Sequence, residues 1–309
     1  MSIDRFDRVQ QEILKQQNNA NFDHAGRIRL LKRLENLLGP ESRLAVYYSR
    51  PEKSLSQDDI LPFAGMLKSI GKVKRLDLVV VSNGGDGTAA EKMLDLCRRY
   101  CSEKLRVVVP LYAKSAATLL ALGADEIVMG ETSELGPIDA QVIIIQDNAP
   151  QQVSADHFLR ARSKCTQDLS STDQATREAA QISLSLLSPA FLTYCEDLMN
   201  YGKDFARRQL ESYMFSEECK TDPEIWRNRI DKILQNLTLT SRHLLHGRKI
   251  TADDMQKDDD LKHLKVCNLS GDNEYWLSLT ELLLRTEVVA QLNNIGKMVF
   301  ATNFYLSAG

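Results

Sequence analysis

The 309-residue sequence contains no stretch near the roughly 20 consecutive apolar residues that a spanning helix requires, and its amino terminus has no basic-then-apolar signal pattern. A protein without a membrane span is expected. Charge of one sign is missing too: 39 Lys and Arg against 42 Asp and Glu leave a formal charge of -3, which supplies no field for a polyanion. Nucleic acid is therefore excluded as a first reading. The six cysteines are scattered and never take the paired CxxC spacing of a zinc site; Cys97 and Cys101, four apart, share a helix face and read as a core pair. Reduced thiols in a cytoplasmic protein follow, with neither metal nor cofactor expected. Internal repeats and low-complexity tracts are also lacking.

What is present is a composition of 43% hydrophobic and 26% charged residues, enough to bury a substantial core. Two N-terminal helices are predicted within residues 1–40, from Ile3, Phe6, Val9 and Ile13 and then Ile28, Leu31, Leu34 and Leu38, each set one apolar stripe suited to packing within or between subunits. From Arg43 the pattern alternates. Strands are expected at Arg43 to Ser49, Arg75 to Ser82, Leu105 to Pro110, Glu126 to Met129 and Gln141 to Gln146, with helices at Gln57 to Ile70, Asp86 to Tyr100 and Ser115 to Leu122. Short strands separated by helices pair in parallel through right-handed crossovers, so the fold class is α/β, with a core over residues 41–150. Residues 151–240 show only helical pattern from Ser154 onward and read as a helical insertion or arm. Residues 241–309 complete the core with helices at Thr251 to Met255 and Glu274 to Asn294 and a closing strand at Lys297 to Tyr305.

Two local patterns carry chemistry. After the run Val79-Val-Val-Ser-Asn, Gly84 and Gly85 allow a tight turn at a strand end with exposed amides and no Cβ to obstruct an approaching carbonyl, although Gly-Gly-Asp-Gly is also ordinary turn composition. About thirty residues later Ser115 follows an apolar run and opens an Ala/Leu helix, where its hydroxyl and the N–H of Ala116 stand at the positive end of the helix dipole. Serine is equally among the best N-caps, so that role stays open. A serine hydroxyl needs a base to become a nucleophile. Among His24, His157, His243, His246 and His263, His246 stands out because it precedes Gly247 and the element beginning at Ile250-Thr251, where a chain leaving a helix end projects a side chain towards a pocket. Lys164 and Lys203 offer a Ser/Lys dyad instead, whereas Lys114 adjoins the serine and points away from it. Asp139, after Leu135-Gly-Pro-Ile, either orients the histidine or fixes its own turn.

Val79 to Gly85, Ala113 to Gly130 and Ser133 to Asp139 together resemble the serine dehydrogenase proteinase family, distant relatives of Clp proteases and signal peptide peptidase A. The resemblance is dense from Arg75 to Gln141 and looser around Leu245 to Thr251. It implies a Clp/crotonase-like β-α-β superhelix, a Ser, Asp, His order of catalytic residues carried by Ser115, Asp139 and His246, an oxyanion hole at Gly84, Gly85 and Ala116, a peptide or protein substrate, and a homo-oligomer. Two positions depart from the family pattern: Ala140 replaces a proline after the aspartate, and Gly247-Arg248 replaces an acidic-aromatic pair after the histidine. The expected function is that of a soluble serine peptidase. The alternatives are a catalytically degenerate scaffold or oligomeric binding protein and, less favoured, a crotonase-type acyl-CoA enzyme.

Overall fold

The computed structural model of the protein describes residues 12, 23–146, 148–238, 247–269 and 271–309. After helix α1 (His24–Leu38) the chain lays down β1 (Ser42–Ser49), α2 (Ile60–Ile70), β2 (Val73–Val81), α3 (Gly87–Tyr100) and β3 (Cys101–Val108). It continues through β4 (Tyr112–Ala113), α4 (Ala116–Leu122), β5 (Glu126–Gly130) and β6 (Glu134–Leu135), then the hairpin β7 (Gln141–Gln146) and β8 (Ala149–Ser154). The helical arm comprises α5 (Ala155–Asp168), α6 (Gln174–Ser185), α7 (Pro189–Gln209), α8 (Ser216–Thr221) and α9 (Pro223–Thr238). Short α10 (Ala252–Lys257), β9 (Val266–Leu269), long α11 (Glu274–Leu292), β10 (Lys297–Ala301) and β11 (Phe304–Ala308) close the chain.

Seven strands form one sheet in the order β11-β10-β1-β2-β3-β5-β9. β1, β2, β3, β5 and β9 run parallel, whereas β10 joins β1 and β11 joins β10 antiparallel. The expected α/β class with parallel pairing is what the chain adopts. Strand alternation divides the core between two faces. Leu76, Leu78 and Val80 of β2, with Ala45 and Tyr47 of β1, pack with Phe63, Met66, Met93, Leu94 and Leu120 on one face. Val79 and Val81, with Leu44, Val46 and Tyr48, pack beneath Leu31, Leu34, Trp276 and Leu282 on the other. Helices on both faces leave these strands no solvent side, which is why they read as continuous apolar runs.

Three elements differ from the sequence reading. The stretch from Lys297 to Tyr305 is not one strand but the hairpin β10 and β11, turning at Thr302-Asn303. β9 is an additional parallel edge strand whose four residues, Val-Cys-Asn-Leu, are too few and too mixed to show a period. β8 pairs with β7 residue for residue, from Gln141 with Ser154 to Gln146 with Ala149, although its Ala-Pro-Gln-Gln-Val-Ser sequence is largely polar and exposed. On the α1/α11 face the largest fully buried side chain is charged: Arg285, 1% exposed, bonds Asp23 at 2.7 Å and Glu281 at 3.3 Å and reaches Glu12 at 2.8 Å. Pairing at this density is what allows a guanidinium to sit inside a core. No described helix is long and apolar enough to cross a membrane.

Candidate active site

β2 and β3 end side by side, and the site lies beyond their carboxyl ends, as in open parallel sheets generally. From β2 the chain runs through Ser82, which pairs with Ala113 of β4: Ser82 N–H donates to Tyr112 O and Lys114 N–H to Ser82 O, each at 3.0 Å. That ladder brings the turn after β2 against the serine turn. A Cβ placed on Gly84 would lie 2.4 Å from Lys114 O, 2.8 Å from Ala116 N and 2.9 Å from Ser115 Cβ, and φ is +90° there. Only glycine fits on both counts. The two halves of the sequence motif are therefore in direct contact.

Ser115 is one of four non-glycine residues with positive φ among those described. At φ 52° and ψ −119° it lies outside the left-handed basin, a conformation that costs on the order of 1–3 kcal/mol and persists only where the surroundings impose it. Its hydroxyl makes no capping bond to α4. The N-cap role is thus unfilled by Ser115. Instead Thr118, one turn on, sends its hydroxyl to Ala113 O at 2.8 Å and Gly136 O at 3.0 Å, tying α4 to the segment before Asp139.

The backbone amides around the serine are not equivalent. The Gly84 N–H donates to Ser82 Oγ at 3.0 Å. Leu55 N–H donates to Gly84 O at 2.7 Å and Asp86 N–H to Leu55 O at 2.9 Å. Because extended backbone alternates its polar groups, the Gly85 N–H between those two bonds turns to the side away from Leu55. Ala116 N–H stands at the first position of α4, where a helix has no internal acceptor for it.

Ser115, Gly84, Gly85, Ala116 and Asp139 all line one cavity of about 670 Å³. Its floor comes from the core, through Leu119 and Ile138, and its outer wall from the β7/β8 hairpin and α7, through Ile143, Gln152, Tyr194, Leu198, Tyr201 and Gly202. Asp139 is 1% exposed and accepts from Gln141 Nε2 at 2.9 Å. Tyr201 donates to Glu91 of α3, and burial, then the neighbouring carboxylate, keeps its phenol protonated far above the usual range. Asp86, the N-cap of α3, takes bonds from Thr88 N–H at 2.8 Å and Ala89 N–H at 3.3 Å. Partial burial raises its pKa, but the bonds from Gln57, Thr88 and Ala89 prevail and the carboxyl titrates below its ordinary value.

His246 lies outside the described residues, but Gly247, which follows it, lines the cavity. The Gly247 carbonyl accepts from Lys114 Nζ at 3.0 Å, and the same ammonium pairs with Glu134 at 2.8 Å. Beyond it, Leu135 and Ile250 exchange two backbone bonds of 2.9 Å, pinning the segment to β6. Lys114, adjoining the serine, is committed to these acceptors, and neither Lys164, exposed on α5, nor Lys203 on α7 lines the cavity. Sequence reasoning did not find Leu55, which brackets Gly85, or the arm residues Leu198 and Tyr201. Neither has a local signal, since each meets the site through residues far away in the chain. Among the described residues no group of three His, Cys, Asp or Glu is arranged to hold a metal ion.

Residues 58–182 match the model of the ClpP-like SDH-type serine proteinase family. The uncharacterized protein MJ0137 of Methanocaldococcus jannaschii is 29% identical over 124 residues, covering 38% of this chain and 43% of that protein. A second uncharacterized protein of the same organism, MJ1495, is 37% identical over 67 residues, or 22% of this chain and 23% of that one. The chain thus spans less than half the length of the curated relatives it matches. Among solved structures, a mutant of the 1510-N membrane-bound stomatin-specific protease aligns at 10% identity and a TM-score of 0.45, over 78% of this chain and 83% of that one.

Proposed function

We propose, from the ClpP-like SDH-type serine proteinase segment that this chain carries over residues 58–182, that it is a serine peptidase with Ser115 as nucleophile. The observation that carries this reading is the backbone of Ser115: a serine held at φ 52° and ψ −119°, uncapped, over a cavity and against Gly84. Strained backbone of that kind clusters at active sites, where the surrounding structure over-determines it.

In the reaction, His246 takes the proton from Ser115 Oγ as that oxygen attacks the peptide carbonyl carbon. The carbonyl oxygen becomes an oxyanion, held by the amides of Gly85 and Ala116. Gly84, whose own amide is engaged by Ser82, supplies the close approach rather than a bond. Collapse expels the amine, which receives the proton from His246, and water then hydrolyses the acyl-enzyme with the same base. Asp139, buried in the cavity wall, orients the histidine. Two preorganised donors in such a site are worth on the order of 10²–10³ each in rate. A cavity of about 670 Å³ is of the size that receives a few side chains of an extended peptide.

The test is labelling by a fluorophosphonate probe. Wild type should be labelled and Ser115→Ala not; equal labelling of both removes the proposal. The homo-oligomer belongs to the same reading and is supported by Ile182 and Leu186, 64% and 80% exposed on or just after α6. Light scattering that finds a monomer at micromolar concentration defeats that part.

A further inference from the structure

The Gly85 amide depends for its position on residues that never touch the cavity. A Cβ on Gly85 would lie 2.3 Å from Leu55 O and 2.8 Å from Leu55 N, so that peptide rests directly on Leu55 and moves with it. Leu55 is itself 1% exposed, with bonds to Gly84 O and from Asp86 N on its two sides. What holds it is the next residue. Ser56 N–H donates to Asp59 Oδ2 at 2.8 Å, and the Asp59 carboxylate, 6% exposed, also accepts from Tyr47 OH at 2.9 Å and Lys297 Nζ at 2.8 and 2.9 Å. Lys297 further donates to Ser56 Oγ at 3.1 Å.

A capping carboxylate alone would satisfy the short turn at Gln57–Asp59. A largely buried ion pair is an inefficient way to gain stability, because desolvation offsets most of the attraction; what it does well is to fix one geometry. This pair joins the first residue of β10 to the turn 238 residues earlier, just after Leu55, which pairs with Gly85.

We propose that Asp59, Lys297 and Tyr47 form a positioning unit for the oxyanion donor, acting through Ser56 and Leu55 on the Gly85 N–H. The proposal rests on the peptidase reading above. None of the three is a catalytic residue. Loosening the unit leaves the cavity's shape intact and misdirects a donor that matters only once charge develops on the carbonyl oxygen, so it affects the chemical step and not ground-state binding.

The experiment uses the full chain and a fluorophosphonate, whose phosphoryl oxygen occupies the oxyanion position as the adduct with Ser115 forms. Lys297→Met should lower kinact by about 10- to 100-fold with KI unchanged within twofold, and Lys297→Arg, which keeps a cation on Asp59, should return kinact to within about fivefold of wild type. If Lys297→Met does not fold, Tyr47→Phe, which removes one donor from Asp59, should lower kinact by a few-fold with KI unchanged. Wild-type kinact in Lys297→Met, a loss appearing in KI alone, or equal losses in the Met and Arg variants overturns the proposal while the peptidase reading stands. Absence of Ser115-dependent labelling in wild type overturns both.

Discussion

The sheet and the helical arm meet across one cavity and are built by different rules. All seven residues of α4 are buried, and β2 presents buried residues from Leu76 to Val81. On the arm, α6 buries only Ala180 of its twelve residues and α5 only Ala155 and Asp156, while Leu169, Ile182, Leu186 and Tyr194 are exposed. The close-packed side can hold a strained serine and a close glycine contact, because its neighbours leave them no alternative. On the other side of the cavity, α7 buries Leu192, Cys195, Met199 and Phe205 but leaves Tyr194 exposed, a less complete packing. The cavity thereby has two unlike walls: Ser115, Gly85, Ala116 and Asp139 on one, Tyr194, Leu198 and Tyr201 on the other.

That division can be broken experimentally, beginning with the serine. Ser115→Gly should abolish fluorophosphonate labelling, at least 10³-fold, and at the same time stabilise the fold by about 1 kcal/mol, since glycine accepts the strained backbone without penalty. A denaturant titration in which Ser115→Gly is less stable than wild type would show that the serine conformation is not strained. Gly84→Ala should cost about 3 kcal/mol, from the positive φ together with a Cβ 2.4 Å from Lys114 O, and should also suppress labelling. Thermal melts matching wild type would place the clash elsewhere.

On the arm the effects should be smaller and of another kind. Tyr201→Phe removes the bond to Glu91, at a cost of about 1 kcal/mol, and should raise KI for the probe a few-fold with kinact unchanged. A fall in kinact would mean that the arm enters the chemistry. Smallest is the acid response of Asp86, where the two walls approach. Its folded-state pKa is depressed below 3.8, so its stabilising contribution is present above that pH and is lost as pH falls through the lower folded value. Between pH 5 and pH 2 wild type should therefore lose more stability than Asp86→Asn, and parallel losses would remove Asp86 as a contributor.

Much of the core was readable because its signals are local. Buried strands between helices appear as apolar runs, and a glycine pair or a serine at a strand end is visible within a few residues, so the α/β class and the meeting of Ser115 with Gly84 and Gly85 could be anticipated. Where burial gives no period, the reading ran out: the polar β8 is held as a strand only by its pairing with β7, β9 only by β5, and the turn at Thr302-Asn303 was absorbed into a single strand. Lys114 was expected to point away from the serine. Its side chain lines the same cavity as Ser115, and its amine runs to Glu134 and the Gly247 carbonyl, 20 and 133 residues away, acceptors that no local pattern indicates.

The sequence by itself determined where Ser115 and its glycine neighbours stand, because backbone conformation at a strand end and a helix start is set by the few residues there. Only the tertiary structure decided how each glycine amide is turned. Gly84 N–H is engaged by Ser82, two residues away, yet the Gly85 N–H is turned by Leu55, thirty residues earlier, and Leu55 is held through a carboxylate paired with Lys297 near the other end of the chain. Hydrogen bonds across such separations form only when the sheet has already brought the strands together, and so they leave no trace in any short stretch of sequence.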